Sequence, residues 1–156
     1  MFSVLLSIYY KESIEYFDKC MKSIWDDQTL KPNEIVLVID GSLPKGLDDK
    51  IIFWKEKLKD ILNIIRLEKN LGTRFGWYFQ QFIKMAELDD GNLNDINVIW
   101  DADTIPLRKI PFEKEGKLCF FQGTEHHLPY FKLIKSLLGV DKVVATSFIA
   151  QCLPFR

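Results

Sequence analysis

The stretch Glu34-Ile-Val-Leu-Val-Ile-Asp40 places five consecutive apolar residues, mostly β-branched, between two acidic residues. Gly41-Ser42 and Pro44 follow directly and end the run. An apolar run without polar alternation is typical of a strand buried on both faces of a parallel sheet. The stretch therefore predicts an inner strand of such a sheet, with polar residues where the strand ends.

Similar runs lie on either side of this stretch, and amphipathic segments separate them. Ser13 can cap a helix whose apolar residues recur at helical spacing, and Lys31-Pro32-Asn33 ends that helix. The predicted strands cover residues 2–10, 34–40, 62–67, 97–100 and 117–121, and the predicted helices cover about 13–24, 48–61, 73–88 and 130–138. Residues 143–152 fit either a strand or a helix. Alternating strands and helices predict an α/β fold with a mainly parallel sheet and right-handed crossovers.

Composition narrows the class of protein. A length of 156 residues fits one domain over residues 1–156, and a hydrophobic content of 47% excludes general disorder. The net charge of −1 argues against binding nucleic acid through bulk electrostatics. No apolar run approaches the roughly 20 residues that cross a bilayer. The odd, widely spaced cysteines Cys20, Cys119 and Cys152 indicate reduced thiols and a cytoplasmic location.

The segment Val98-Ile-Trp-Asp-Ala-Asp-Thr-Ile-Pro106 carries the strongest chemical signal. In extended backbone Asp101 and Asp103 face the same side, and converging carboxylates favour a cation between them. Hard oxygen ligands suit Mg²⁺ or Mn²⁺. The alternative is a solvated acidic turn before Pro106.

Two further strand ends carry polar groups that suit a nucleotide. The carboxylate of Asp40 can accept hydrogen bonds from a ribose hydroxyl or a base N–H, unless it only caps the turn. Arg74 follows Asn70-Leu-Gly72, and its guanidinium can hold a diphosphate at two points, unless it is only an exposed charge. Ligands of parallel α/β sheets bind beyond these carboxyl ends.

The first half of the chain resembles family 2 glycosyltransferases with the GT-A fold, especially bacterial surface-polysaccharide enzymes. The resemblance covers residues 2–72 and rests on Phe2-Ser-Val-Leu-Leu-Ser-Ile-Tyr9, Lys11-Glu12, Ser23-Ile24, Gln28-Thr29, Lys31-Pro-Asn-Glu-Ile-Val-Leu-Val38, Asp40-Gly41 and Asn70-Leu-Gly72. Tyr10 departs from the Asn that is usual there. After Gly72 the chain also departs from the small-residue helix of that family.

The second half resembles a less characterised group of bacterial sugar-transferase-like proteins. That resemblance rests on Gly76-Trp-Tyr-Phe-Gln-Gln-Phe-Ile-Lys84, Trp100-Asp-Ala-Asp-Thr-Ile-Pro106, Glu125-His-His-Leu-Pro-Tyr-Phe131 and Ser147-Phe-Ile-Ala-Gln151. We therefore expect a hybrid chain with a seam near 71–74. Against either family it is short at the carboxyl end, where an acceptor site and a catalytic base are expected.

The resemblance implies a nucleotide-sugar-dependent glycosyltransferase of cell-surface polysaccharide or lipopolysaccharide synthesis. It places Ser7 and Tyr9 in the nucleotide pocket, Asp40 on the uracil or ribose, and Asp101 with Asp103 on a Mn²⁺ or Mg²⁺ ion at the diphosphate. The implied partners are a UDP-sugar donor and a glycan or lipid-linked acceptor. A cytoplasmic location is implied, and peripheral association with the inner face of the bacterial inner membrane is compatible with it.

An inverting transfer needs a general base, and a leaving diphosphate needs a cation. Among the acidic residues after the D-x-D pair, Glu125 is the best placed, although a plain loop carboxylate is the favoured interpretation. His126 or His127 can complete the metal sphere or bond a phosphate oxygen, or can only shape the start of the next helix.

Two other functions compete with an active transferase. The first is a GT-A-like remnant that binds nucleotide but lacks the acceptor and base region. The second is a phosphatase of the haloacid dehalogenase type, which also uses D-x-D after a strand. That family places its threonine two positions after the second Asp and its motif on the first strand. Here Thr104 follows Asp103 at once and the strand is the fourth, so the phosphatase is disfavoured.

Overall fold

A five-stranded sheet organises the part of the chain that the structure describes. The structure is a computed structural model, and it describes residues 1–26, 29–67, 94–123, 128–143, 146 and 152–156. The strands of the sheet are β1 (Phe2–Tyr9), β2 (Glu34–Asp40), β3 (Leu62–Leu67), β4 (Ile96–Asp101) and β7 (Cys152–Phe155). The order across the sheet is β3-β2-β1-β4-β7, so β1 is the central strand.

The first four strands are parallel, and β7 pairs antiparallel with β4. The connections include helix α1 (Ile14–Trp25), helix α2 (Lys45–Leu58) and a 3₁₀ turn at Lys59–Ile61. The predicted α/β class with a mainly parallel sheet is thereby confirmed.

A two-stranded hairpin and a third helix lie outside the main sheet. The hairpin pairs β5 (Glu113–Lys114) with β6 (Lys117–Leu118), and the helix is α3 (Leu128–Leu138). Within the described residues, no helix is long and apolar enough to cross a membrane.

The larger part of the core lies on the face of the sheet that α1 and α2 cover. Val4, Leu6 and Ile8 of β1 point to this face and are almost fully buried. The helices and neighbouring strands contribute the other large members of this core, namely Phe17, Met21, Ile24, Ile35, Leu37, Ile39, Leu47, Ile51, Trp54, Val98 and Trp100. A smaller cluster of Leu5, Val36 and Val38 occupies the opposite face, as two-sided burial of the strands requires.

Local sequence explains where α1 begins and what it buries. The Ser13 side chain accepts a hydrogen bond from the backbone N–H of Tyr16, which satisfies one of the free donors at the helix start. Phe17, Cys20 and Ile24 then fall on the buried stripe. The helix ends at Trp25, and the chain reverses before β2.

Polar contacts fix α1 against α2. The carboxylate of Asp18 on α1 accepts hydrogen bonds from the Trp54 indole at 2.8 Å and the Lys50 ammonium at 3.2 Å. Further along, Lys57 pairs with Asp26 at 2.6 Å. These bonds satisfy the polar edge of a buried indole, which would otherwise lose a partner on leaving water.

Three element predictions need correction. The predicted strand 117–121 is only the two-residue β6, because Glu115 and Gly116 both have positive φ and turn the chain into a tight hairpin. The predicted helix 48–61 begins at Lys45 after Pro44 and ends at Leu58. The stretch 143–152, predicted as either strand or helix, ends at the first residue of strand β7, which extends beyond it to Phe155.

Other element predictions fall wholly or partly outside the described residues. The predicted helix 73–88 lies entirely in the undescribed range 68–93, and most of the loop that follows it lies there too.

The three cysteines are free thiols, with Cys20 and Cys152 buried.

Adjacent aromatic residues on α1 allow a matched test of this core. Replacing Phe17 with Ala leaves a cavity beneath the sheet, so we expect the free energy of unfolding to fall by about 3–5 kcal/mol. Tyr16 is exposed, and replacing it with Ala should change stability by no more than about 0.5 kcal/mol. Urea unfolding followed by tryptophan fluorescence measures both changes. Equal losses for the two variants would contradict the assignment of the buried face.

Candidate functional site

The carboxyl ends of β1, β2 and β4 bring four of the predicted site residues to one edge of the sheet. Tyr9 lies opposite Asp40 in the β1–β2 register, and Ser7 lies opposite Asp101 in the β1–β4 register. Side chains alternate between faces along a strand. All four therefore share the face that carries Leu5.

Strand geometry gives the span of this group. Neighbouring strands lie about 4.8 Å apart and each residue advances the strand by about 3.3 Å. The Cα atoms of Asp40 and Asp101 are separated by two strand spacings and a two-residue offset, which corresponds to about 12 Å. Ser7 and Tyr9 lie between them on β1. The edge thus presents a row of polar groups long enough to contact a nucleoside at one end and phosphates at the other.

Two buried polar atoms at this edge have no hydrogen-bond partner within the described part of the chain. They are the hydroxyl oxygen of Ser7 and the Oδ1 of Asp40. Ser7 is only 5% exposed. Burial raises the pKa of the Asp40 carboxyl, because a charged group is less well solvated there. A buried polar atom without a partner is costly, so these two atoms are suited to a ligand that supplies hydrogen bonds.

The D-x-D pair is held in a turn and is not extended as predicted. Asp101 is the last residue of β4, and the backbone N–H of Thr104 donates to its carbonyl oxygen at 2.9 Å. The indole of Trp100 donates to the carbonyl oxygen of Thr104 at 2.8 Å. Ala102 is buried and Asp103 is exposed. The premise of an extended D-x-D was wrong because the chain leaves the sheet immediately after Asp101.

A second contact ties this turn region to the first helix. The hydroxyl of Ser23 on α1 donates to the carbonyl oxygen of Pro106. Together with the bond from the Trp100 indole to Thr104, this bond anchors the chain that follows Asp103 to buried parts of the fold.

Glu12 belongs to the same electrostatic environment. It lies in the turn after β1, where its backbone N–H donates to the carbonyl oxygen of Tyr9 at 3.0 Å. Burial and the negative charges of Asp103 and Asp101 raise the pKa of Glu12. Neighbouring negative charges that raise the pKa of Glu12 mark a region of negative potential.

Burial and neighbouring negative charges also raise the pKa values of two buried thiols. Burial raises the pKa of Cys20 to about 12, with a further contribution from Asp103, Glu12 and Asp101. Burial and the charge of Asp101 also raise the pKa of Cys152, to about 11. Neither thiol ionises near neutral pH, so both are inert core residues.

The described residues do not by themselves complete a metal cage. No group of three or more His, Cys, Asp or Glu among them is arranged to hold an ion. Mg²⁺ in proteins is commonly bound through one or two carboxylates, with water and substrate phosphates completing the shell. The carboxylates of Asp101 and Asp103, at the end of a strand and in a region of negative potential, fit that donor set.

Four predicted site residues lie outside the described part of the chain. These are Arg74, Glu125, His126 and His127. Their roles stay predictions.

Glu12 is the residue that the sequence reasoning left without a role. It belongs to the Lys11-Glu12 pair, which was used only to support a family resemblance. Its position in the chain could have indicated a role at the site. Glu12 follows the first strand, and that strand pairs with the strand that ends in Asp101.

Comparison with curated proteins gives matches over about half of the chain. The amylovoran biosynthesis glycosyltransferase AmsE of Erwinia amylovora is 46% identical over 72 residues, which is 46% of this chain and 26% of that protein. The relatives are bacterial glycosyltransferases. They include the UDP-Gal:alpha-D-GlcNAc-diphosphoundecaprenol beta-1,3-galactosyltransferase of Escherichia coli, 34% identical over 71 residues, 46% of this chain and 25% of that enzyme.

An uncharacterized glycosyltransferase of Haemophilus influenzae is 37% identical over 71 residues, again 46% of this chain and 26% of that protein. The chain thus spans about a quarter of the length of the curated relatives it matches. No family model matches it.

Comparison with solved structures gives two glycosyltransferases at low similarity. The mannosyltransferase PcManGT of Pyrobaculum calidifontis, in complex with GDP-Man and Mn²⁺, has a TM-score of 0.47 at 19% identity, over 67% of this chain and 28% of that one. The PaToxG glycosyltransferase has a TM-score of 0.36 at 15% identity, over 81% of this chain and 50% of that one.

The charge environment of Glu12 gives a pH-dependent prediction. Its pKa in the folded protein lies above the ordinary value of 4.5, so the ionised carboxylate weakens the fold at pH values above 4.5. Replacing Glu12 with Gln should raise the melting temperature near pH 7, and the gain should vanish as the pH falls below 4.5. Thermal unfolding across this pH range measures the effect.

Glu15 is the matched control, since it lies three residues away and has the opposite shift. A hydrogen bond from Lys19 lowers the pKa of Glu15. Its ionised form therefore stabilises the fold above pH 4.5, and that stabilisation is lost as the pH falls through the lowered pKa. Replacing Glu15 with Gln should slightly lower the melting temperature near pH 7. Shifts of the same sign for both variants would contradict this account.

Proposed function

We propose that this chain binds a nucleotide-sugar donor, foremost a UDP-sugar, at the carboxyl edge of its sheet. In this proposal it is the donor-binding part of a glycosyltransferase of bacterial cell-surface polysaccharide or lipopolysaccharide synthesis. The observation that supports the proposal most strongly is that buried oxygens and a carboxylate lie together on one face of the sheet at its carboxyl edge. The buried oxygens of Ser7 and Asp40 that lack a partner among the described residues lie on the same face and edge as the carboxylate of Asp101.

The nucleoside end of the donor would lie at Asp40. Its carboxylate can accept hydrogen bonds from ribose hydroxyls or from the N–H of uracil, and such bonds would satisfy the Oδ1 that lacks a partner. Tyr9 lies directly opposite Asp40, and the residue is 40% exposed. An exposed ring beside the carboxylate is suited to packing against a planar base.

The diphosphate end would lie near Ser7, Asp101 and Asp103. A hydroxyl can donate to a phosphate oxygen, whereas carboxylates repel it unless a cation intervenes. Asp101 and Asp103 would hold that cation, Mn²⁺ or Mg²⁺. When bound, the ion supplies positive charge that stabilises the departing diphosphate. Glu12 adds negative potential that favours retention of a cation.

The remaining predicted residues have roles that follow from their chemistry. Arg74 would bind the diphosphate through its guanidinium, and His126 or His127 would contribute a ligand to the ion or a hydrogen bond to phosphate. Glu125 stays the candidate general base if this chain supplies one.

The relatives support the choice of acceptor class. One acts in amylovoran biosynthesis, and another is named for transfer to a sugar on diphosphoundecaprenol. We therefore propose a glycan or lipid-linked acceptor for this chain as well.

Nucleotide binding tests the proposal directly. UDP with Mn²⁺ should raise the melting temperature of the chain, and calorimetry should give a measurable Kd. Replacing Asp101 with Ala should abolish the dependence on Mn²⁺, because one of two proposed ligands is lost. Replacing Asp40 with Ala should raise the Kd for UDP by about tenfold, as expected when a charged hydrogen-bond acceptor is removed.

Asp49 provides the matched control, since its carboxylate is exposed on α2 and pairs only with Lys45 among the described contacts. Replacing it with Ala should leave UDP and Mn²⁺ binding unchanged. Absence of any shift with UDP and Mn²⁺ would reject the donor site. If binding holds, release of UDP from a UDP-sugar above the buffer rate indicates an active enzyme. Tight binding without release indicates the alternative, a remnant that binds nucleotide without transfer.

A further inference from the structure

Helix α3 is unusual because its apolar side chains face solvent. No residue of Leu128–Leu138 is buried. Leu133 is 56% exposed, Leu137 is 70% exposed and Leu138 is 71% exposed. The chain that follows continues this character, since Val143 is 89% exposed. An exposed apolar surface of this kind marks a site of interaction with another molecule or a membrane.

Most apolar residues of α3 are grouped on one side of the helix, and Leu128 at its first position lies on the side of the lysines. At 100° per residue, Leu133, Leu137, Tyr130, Ile134, Leu138 and Phe131 occupy one continuous arc of about 160°. Lys132, Lys135 and Ser136 occupy the opposite side. The helix is therefore amphipathic, with a wide apolar face and lysines on its polar face.

The charge of this region is opposite in sign to that of the whole chain. Residues 128–143 contain three lysines and one acidic residue, Asp141, whereas the chain has a net charge of −1. Lys135 pairs with Asp141 at 2.6 Å, and the Lys142 ammonium lies 4.7 Å from the centre of the Phe131 ring. Basic residues beside an apolar face complement an anionic surface that also has an apolar interior.

We infer that α3 is a membrane-surface anchor, which lies in the interface of an anionic bilayer with its apolar face buried among the acyl chains. Leu133, Leu137 and Leu138 form the inserted face, and the lysines contact lipid headgroups. Eleven residues of α-helix span about 16 Å, which is about half of a hydrocarbon core of about 30 Å. The helix therefore lies on the membrane and does not cross it.

A bilayer fits this face better than a second copy of the chain does. Two-fold contact between the apolar faces of two copies of α3 would leave the lysines of both helices pointing outward, without a new anionic partner. Anionic headgroups neutralise the same lysines. The choice of lipid also agrees with the proposed lipid-linked acceptor, but the exposed helix supports it independently of nucleotide binding.

Vesicle co-sedimentation of the full 156-residue chain tests the inference. We expect binding to vesicles that contain phosphatidylglycerol, weaker binding to pure phosphatidylcholine, and partial loss of binding in high salt. The double variant Leu133→Glu/Leu137→Glu should weaken vesicle binding by about tenfold or more, because two inserted leucines are lost. Both positions are exposed, so the variant should retain the circular dichroism spectrum of the parent.

The control is the double variant Ile52→Glu/Phe53→Glu, which changes two apolar residues of α2 that are about half exposed. It should bind vesicles as the parent does. Failure of the parent to bind anionic vesicles, or equal binding by the α3 variant, would overturn the inference. A concentration-dependent dimer that the α3 substitutions disrupt, without vesicle binding, would assign the face to a second copy instead. UDP binding measured on the same samples separates this result from the fate of the donor site.

Discussion

Parallel pairing of the central strand β1 with β2 and β4 is the constraint on which the rest of the structure depends. Because both faces of β1 are buried, its register relative to its neighbours is fixed: a one-residue slip would exchange apolar and polar side chains between the faces. The same register brings Ser7 beside Asp101 and Tyr9 beside Asp40. The strand register that packs the core therefore also aligns the polar residues at the carboxyl edge.

The polar edge combines features that a purely structural role does not explain. Buried polar atoms in proteins normally have partners. At the amino end of the sheet the hydroxyl of Ser3 donates to Glu34 at 2.9 Å and accepts from Asn94 at 2.8 Å, although the Oδ1 of Asn97 has no partner among the described residues. At the carboxyl end the corresponding atoms of Ser7 and Asp40 lack partners among the described residues. Two such atoms on one face of the carboxyl edge, beside the strand that ends in Asp101, favour a ligand there.

The sequence predicted the inner strands well, because long apolar runs bounded by turn residues leave little choice of structure. It predicted the small elements poorly. β7 contains Pro154, which argues against a strand, yet Pro is tolerated where one side of a strand is left unpaired. Residues 117–121 read as a strand, but the turn at Glu115 and Gly116 sets the local structure. At the candidate site, the sequence predicted an extended acidic pair, whereas the chain turns after Asp101 and the Trp100 indole bonds the carbonyl of Thr104.

The attachment of the acidic turn to the core has a thermodynamic consequence. Trp100 is one of the largest fully buried side chains, and its indole fixes the carbonyl of Thr104 while Ser23 fixes that of Pro106. A cation that binds Asp101 and Asp103 would therefore find a backbone that is already ordered. Little conformational entropy would be lost on binding, and the affinity would reflect charge and ligand geometry more than loop folding. A change that loosened the core beneath the turn would therefore weaken binding of the ion to Asp101 and Asp103.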